Sequence, residues 1–395
     1  MHAPTAVRYT ALDAVAFAGM FVFGIVMALV GAAMPVLTER LSLGLDDAGT
    51  LFLVTNAAML AASLLVGPVM DRAGMKAPIA AGVTLVAIAL LVISTVSRMG
   101  DLLLALACLG FGGGAVNAST NTLVADLHED PQGKASALNL LGVFFGFGAL
   151  LLPFSIGVLL SRVGLGGVLV GGAVLCAITG LVAVALRFPA PKQPQGLAFA
   201  AMPRFLRMPV VLALAFLLFF ESGNEFVLGG YFTTFLIREF AVPVERASYL
   251  LAGYWGAIMM SRLFLSRAVL RIGARRVVTG GAVLATAGAL GVSVAPGASV
   301  AAGGILLTGL ALAGIFPTVL SVAGARFSEH SGTVFGLLFT AALTGGMTMP
   351  WLAGHLAAGA GLRSVFVLAA VGFVGVAAFW GPVWKRRSMG LERHE

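Results

Sequence analysis

The chain has 395 residues, 59% of them hydrophobic and only 10% charged, with a mean hydropathy of +1.03. A soluble domain carries about 25% charged residues, so this composition excludes one and specifies a polytopic membrane protein. A formal charge of +8 would suit a nucleic-acid partner by magnitude, but the basic residues follow membrane topology instead, so no nucleic acid is expected as a partner.

From the N-terminus, apolar runs long enough to cross a bilayer recur twelve times. They fall at residues 11–38, 49–69, 78–97, 102–127, 135–160, 165–187, 209–236, 247–265, 277–295, 300–325, 332–358 and 364–384. Met1 to Thr10 lacks the pattern of a cleavable signal, so the first run is expected to remain as a span. With a cytoplasmic N-terminus, 17 of the 24 Lys and Arg residues fall in cytoplasmic segments and 6 fall opposite, with Arg262 left near a span end. That bias follows the positive-inside rule and predicts an inner-membrane protein with both termini cytoplasmic. Cys108 and Cys176 lie in spans, where small apolar filling is the expected role.

The break after the second span reads Gly67-Pro-Val-Met-Asp71-Arg72-Ala-Gly74-Met-Lys76, and the break after the eighth reads Ser266-Arg267-Ala-Val-Leu-Arg271-Ile-Gly273-Ala-Arg275-Arg276. The two form a weak internal echo. The first resembles the signature that major facilitators carry between their second and third spans. That resemblance implies a cytoplasmic gate of Asp71, Arg72 and Lys76; the plainer reading is an ordinary positive-inside loop. The longest polar break, Arg187 to Arg207, contains Pro189, Pro191 and Pro194 and divides six spans from six. The chain thus reads as an all-α membrane protein of twelve transmembrane helices in two pseudo-symmetric six-helix bundles. The bundles are 1–187 and 208–395, joined by a cytoplasmic linker at 188–207, with a basic cytoplasmic tail.

Polar side chains inside spans point to function, because they are costly there. In the fourth span Asn117 and Asn121 lie one helical turn apart on one face, and Asn56 in the second span and Asn139 in the fifth add further amides. An amide donates and accepts together, which suits the hydroxyl groups of a neutral polar solute. Interhelical glue is the competing role.

The seventh span carries the sharper signal. Glu221, Asn224 and Glu225 interrupt an apolar run, and the two acids are four residues apart on one helical side. Each carboxylate costs on the order of 2.5 to 3.5 kcal/mol at a bilayer centre, and two that share a turn favour protonation of at least one. The pair is expected to line a polar cavity and to hold one proton or one sodium ion as a coupling site. A structural pair with Arg262 is the competing reading. Gly223, Gly229 and Gly230 flank the acids and are expected to let the helix unwind locally.

Other polar residues have cheaper explanations. Asp13 and Asp126 sit at span ends, where capping or snorkelling accounts for them, and His355 reads as interfacial. Tyr231, Tyr254, Trp255 and Trp351 could stack on a sugar ring or simply pack. No metal-ligand spacing and no nucleophile arrangement is present, so the chain is not read as an enzyme and no cofactor is expected beyond a coupling ion, H+ or Na+.

Three stretches resemble the fucose-galactose-glucose symporter group of the major facilitators, which includes the fucose permease and the sodium-dependent glucose transporter type. They are Gly112 to Asn121 followed by Leu138-Asn139-Leu140, then Phe220-Glu-Ser-Gly-Asn-Glu225, and Gly314-Ile-Phe-Pro317-Thr318 with Gly345-Gly346 ahead of Pro350. The resemblance implies secondary transport of a hexose-like sugar by alternating access, by a monomer in the lipid bilayer. Asn56, Asn117, Asn121, Asn139, Asn224, Glu225 and Tyr231 are the candidate solute contacts, and Glu225, assisted by Glu221, the candidate cation site. One departure matters. The fucose permease uses an Asp of its first span and a Glu of its fourth; the matching positions here are Gly31 and Asn117, so that proton mechanism does not carry over. The alternatives are a proton-driven exporter of lipophilic or amphipathic compounds and a transport-inactive receptor or scaffold.

Overall fold

The computed structural model describes residues 9–128, 130–190, 202–327 and 331–388. Arg8, Arg393 and the centre of the expected linker, 191–201 with Lys192, fall outside the described residues. Every regular element among those described is a helix: α1 (Ala11–Leu41), α2 (Leu45–Ala73), α3 (Lys76–Thr95), α4 (Met99–Leu127), α5 (Pro131–Ala185), α6 (Met202–Leu206), α7 (Pro209–Phe240), α8 (Val244–Ile272), α9 (Ala274–Ser293), α10 (Ala298–Leu312), α11 (Ile315–Arg326), α12 (Ser331–Ala360) and α13 (Arg363–Ser388). Helix is imposed by the solvent, since lipid satisfies no backbone donor or acceptor.

The twelve expected spans are all present. Gly164, with φ 66° and ψ 174°, breaks α5 into two of them, while α10 and α11 are two pieces of one. Ala313 and Gly314 between them keep right-handed helical dihedrals, and a side chain on Gly314 would run into Leu265 and Val277. Ten of the described helical segments are long and apolar enough to cross a membrane. The fifth helix counts twice and α8, less apolar because it carries several arginines, completes the set.

The backbone itself carries the internal repeat. Six described residues have positive φ, and they fall as three pairs on corresponding connections. Ser42 and Ala241 follow the first span of each half, Gly74 and Gly273 the second, Gly164 and Gly361 the fifth. The first two pairs are 199 positions apart and the third 197. Close contacts repeat with the same offset: Gly82 of α3 packs against the Gly112 carbonyl and Val116 of α4, and Gly281 of α9 against the Ala311 carbonyl and Ile315.

The chain divides into two compact units, Met1–Leu29 with Ala58–Gln195, and Val30–Ala57 with Gly196–Glu395. In the first, Gly24 of α1 seats on the Phe145 carbonyl and Gly148 of α5. In the second, Gly345 of α12 seats on the Phe219 carbonyl of α7, and Gly372 and Gly375 of α13 receive Asn224 and Phe220 of α7. The segment 30–57 also packs on α7: Gly31 meets Gly229 and Gly230, and the Thr233 hydroxyl donates to the Gly31 carbonyl at 3.0 Å. Lipid is as apolar as leucine, so such small-residue contacts, rather than a hydrophobic drive, set how closely membrane helices approach.

One charged hub fixes the far end of the second unit. Arg363 donates to the carbonyls of Ser293 and Ala295 at 2.8 and 3.0 Å, capping the end of α9, and stands 3.4 Å from Glu239 of α7. Guanidinium donors satisfy helix-end carbonyls that would otherwise lack partners.

These contacts predict position-specific sensitivity. Gly345→Ala should destabilise the protein by about 1–3 kcal/mol through overpacking against the α7 backbone, whereas Gly280→Ala, which meets nothing within 4 Å, should be neutral or better. Thermal unfolding of the two purified variants in detergent checks the difference.

Candidate functional site

Helix α7 begins on Pro209, whose fixed φ and missing N–H suit a first helical position. It ends on left-handed Ala241, after which the Val242 amide donates back to the Leu236 carbonyl at 3.2 Å. The 32 residues between run without interruption, and Glu225 falls at their midpoint. The unwinding expected at Gly223, Gly229 and Gly230 does not occur. Those glycines serve close approach instead, Gly223 to Met349 and the Gly345 carbonyl, Gly229 to Trp255, and Gly230 to the ring of Phe52.

Both acids are buried, Glu221 at 0% exposure and Glu225 at 7%. Their environments differ. Glu225 Oε1 stands 3.8 Å from Arg262 Nη2 of α8, whose side chain is 30% exposed. The Tyr254 hydroxyl donates to the Glu225 backbone carbonyl at 3.4 Å, and the Tyr254 ring lies over Gly309 of α10 and edge-on to Trp255. Neither oxygen of Glu221 has a hydrogen-bond partner among the described residues. The guanidinium thus stands beside Glu225, while Glu221 is buried without a partner among the described residues, where a charge would be expensive.

The remaining predicted residues scatter. Asn224 is fully buried and turned toward α13, against Gly372, with neither amide atom partnered among the described residues. Tyr231 is fully buried; its hydroxyl donates to the Pro350 carbonyl of α12 at 2.9 Å and its ring tilts against Phe52. Asn56 is fully buried, and its amide donates to the Phe52 carbonyl at 3.0 Å.

In the first unit Asn121 Nδ2 donates to Asn117 Oδ1 at 3.0 Å and to the Asn117 carbonyl at 2.9 Å. Both residues are partly exposed, which leaves the Asn117 amide donors and the Asn121 carbonyl oxygen available. Asn139 is exposed. Of the expected gate, Asp71 is half-buried, Arg72 exposed, and Lys76 donates to the Leu186 carbonyl at 3.0 Å, capping the end of α5.

Asp13 does more than the capping expected of it. Thr10 and Asp13 form a capping box, and the other carboxylate oxygen meets His128 Nε2 at 2.8 Å. No sequence signal joins residues 115 positions apart. His355 is exposed beside Trp351, with ring centroids 4.4 Å apart.

The sequence matches the Major Facilitator Superfamily profile twice, over residues 16–220 and 214–391, one match for each half. The chain belongs to the Major Facilitator Superfamily. Membership makes it a multi-pass membrane transporter rather than an enzyme. No curated protein matches the sequence. Among solved structures, the nucleoside transporter NupG superimposes with a TM-score of 0.78 at 16% identity, covering 95% of this chain and 99% of that one. A D-xylose-proton symporter gives 0.78 at 14% identity over 94% and 97%. The E. coli fucose:proton symporter FucP gives 0.65 at 18% identity over 93% and 97%. At these identities the likeness is one of fold.

The Arg262–Glu225 pair predicts a non-additive stability pattern. Arg262→Met should cost roughly 2 kcal/mol, less than the 3 to 5 kcal/mol of a fully buried pair because Arg262 is 30% exposed. Adding Glu225→Met should restore most of that loss, since a buried pair replaced by apolar groups is often neutral. Unfolding midpoints of the two single variants and the double variant complete the cycle.

Proposed function

We propose that the protein is a secondary active transporter of a neutral polar solute, a hexose-like sugar, coupled to a cation at the acid pair of α7. The observation that carries this reading is the pair itself: two buried carboxylates at mid-helix, Glu225 with the Arg262 guanidinium at 3.8 Å and Glu221 with no partner among the described residues. A permanent excess charge there would be destabilising, so the site is built to accept and release one monovalent positive charge. Because cation and solute both bias the same two-state protein, each raises the apparent affinity of the other.

The solute end of the reading rests on Asn117 and Asn121. Their mutual hydrogen bond fixes both amides, and the groups left over offer a donor and an acceptor within one helical turn. A polyhydroxylated ring presents the matching array, with no charge that the site would need to neutralise. FucP and the xylose carrier are named as proton symporters of sugars, and NupG as a nucleoside carrier, a solute with its own sugar ring. The resemblance of the sequence to the fucose-galactose-glucose group points the same way. In this reading the carrier works by alternating access as a monomer in the inner membrane, with both termini cytoplasmic and Asp71, Arg72 and Lys76 at the cytoplasmic gate.

Counterflow in proteoliposomes across a panel of hexoses, pentoses and nucleosides tests the reading. One sugar should show saturable exchange, and Asn117→Ala should weaken its half-saturation about tenfold, the equivalent of one lost hydrogen bond of about 1.4 kcal/mol. The double variant Glu221→Gln with Glu225→Gln should keep exchange and lose gradient-driven accumulation. Absence of sugar exchange would remove the sugar assignment, and full accumulation by the double variant would remove the coupling site.

A further inference from the structure

We propose that the ends of α1 and α7 form a second binding site, for a small zwitterion of the α-amino acid type, separate from the polar groups assigned to transport. The site goes beyond the sugar reading and does not depend on it.

A cavity of about 260 Å3 opens there, lined by Pro35, Thr38 and Glu39 of α1 and by Thr234, Ile237 and Arg238 of α7. All six residues belong to the second compact unit. With a cytoplasmic N-terminus, this end of α1 lies outside the cytoplasm. Thr234 stands nine positions beyond Glu225, about 13.5 Å further along the helix, so the cavity is distinct from the acid pair.

Pro35 gives two adjacent threonines of α7 different fates. It has no N–H for the Gly31 carbonyl one turn earlier, and the Thr233 hydroxyl takes that place at 3.0 Å. Thr233 is thus spent on the fold. Thr234 is as deeply buried, at 2% exposure, yet its hydroxyl has no partner among the described residues. A helical threonine ordinarily donates to the carbonyl four residues earlier, as Thr38, Thr55 and Thr344 do. Thr234 forgoes that bond on the cavity wall. A buried hydroxyl without a bond is destabilising, and a ligand that supplies one removes the cost.

The rim supplies charge of both signs. Glu39 and Arg238 are exposed, one on each helix, and no ion pair joins them among the described residues. The neighbouring Glu239 is taken by Arg363. A guanidinium holds a carboxylate through two parallel hydrogen bonds, and a carboxylate accepts readily from an ammonium. Pro35 and Ile237 add apolar wall. A sugar would leave both charges unanswered. A molecule that answers every feature carries a carboxylate for Arg238 and the Thr234 hydroxyl, an ammonium for Glu39, and a short aliphatic chain. The volume falls just under the ~300–1,000 Å3 of drug-sized pockets, which suits an amino acid such as leucine.

Isothermal titration calorimetry of the purified protein in detergent, with L-leucine as the probe, tests the site. Leucine should bind saturably, whereas leucine methyl ester, which lacks the carboxylate, and N-acetyl-leucine, which lacks the ammonium, should not. Glu39→Gln and Arg238→Gln should each weaken binding roughly 10- to 100-fold, and Thr234→Val about tenfold. Glu39→Asp and Arg238→Lys should recover part of the loss, which separates a lost contact from a lost fold. Asp46→Asn, an exposed acid at the same end, should bind leucine as the wild type does. No leucine binding, or binding that Glu39→Gln and Arg238→Gln leave intact, would overturn the proposal. Displacement of leucine by D-glucose or D-xylose would overturn it too, since the cavity would then belong to the solute path. Leucine binding without any sugar counterflow would sink the sugar reading and leave this site standing.

Discussion

A carboxylate at the middle of a membrane helix cannot be rescued by that helix's own backbone. Every N–H and C=O around it is already committed to the helical ladder, and lipid offers nothing in exchange. Compensation must come from a neighbouring helix or from a mobile cation. In this protein α8 sets the Arg262 guanidinium 3.8 Å from Glu225, while Glu221 has no partner among the described residues.

Glycine notches bring the neighbouring helices close to α7. Gly345 lets α12 rest on the Phe219 backbone, Gly372 and Gly375 admit Asn224 and Phe220 from the α13 side, and Gly31 brings the 30–57 segment against Gly229 and Gly230. Phe216 and Phe220 stack on Phe379 along the same seam. The glycines beside the acids thus act through packing, and the helix stays whole because its neighbours press on it from several sides.

Much of this was legible in the sequence. Apolar run length specifies twelve spans because the bilayer fixes the length of helix that crosses it, and Glu221 and Glu225 announce themselves because charge is rare and costly at that depth. The i, i+4 spacing of Asn117 with Asn121 correctly implies a shared face, and they are hydrogen-bonded. What could not be read is anything that depends on which helix lies next to which. Arg262 could be weighed as a partner but not assigned to Glu225 over Glu221. Asn224, adjacent to Glu225 in sequence, faces a different helix, since neighbouring helical residues diverge by about 100°. Asn56 was grouped with the amides of the first half, yet it packs in the other unit beside Gly346. Tyr231 is spent on the Pro350 carbonyl, and His128 on Asp13, through contacts more than a hundred positions long.

The internal repeat supplies a control experiment within one molecule. With the offset of 199 that relates the two halves, Glu221 corresponds to Val22 and Glu225 to Val26, and both valines are 1% exposed. Val26 packs on Gly113 of α4 and needs nothing polar. The same fold, at the same places, is therefore satisfied by apolar side chains of ordinary size. Arg262 corresponds to Ser63, and Asn117 and Asn121 correspond to Phe316 and Leu320, so the amides are as one-sided as the acids. Close helix contacts repeat while the costly polar groups do not, and packing cannot be the reason for groups that packing does without. A buried ion pair that is replaceable by hydrophobic residues contributes little to stability. The acids of the second half and the amides of the first are thus polar groups that the shared fold does not itself require.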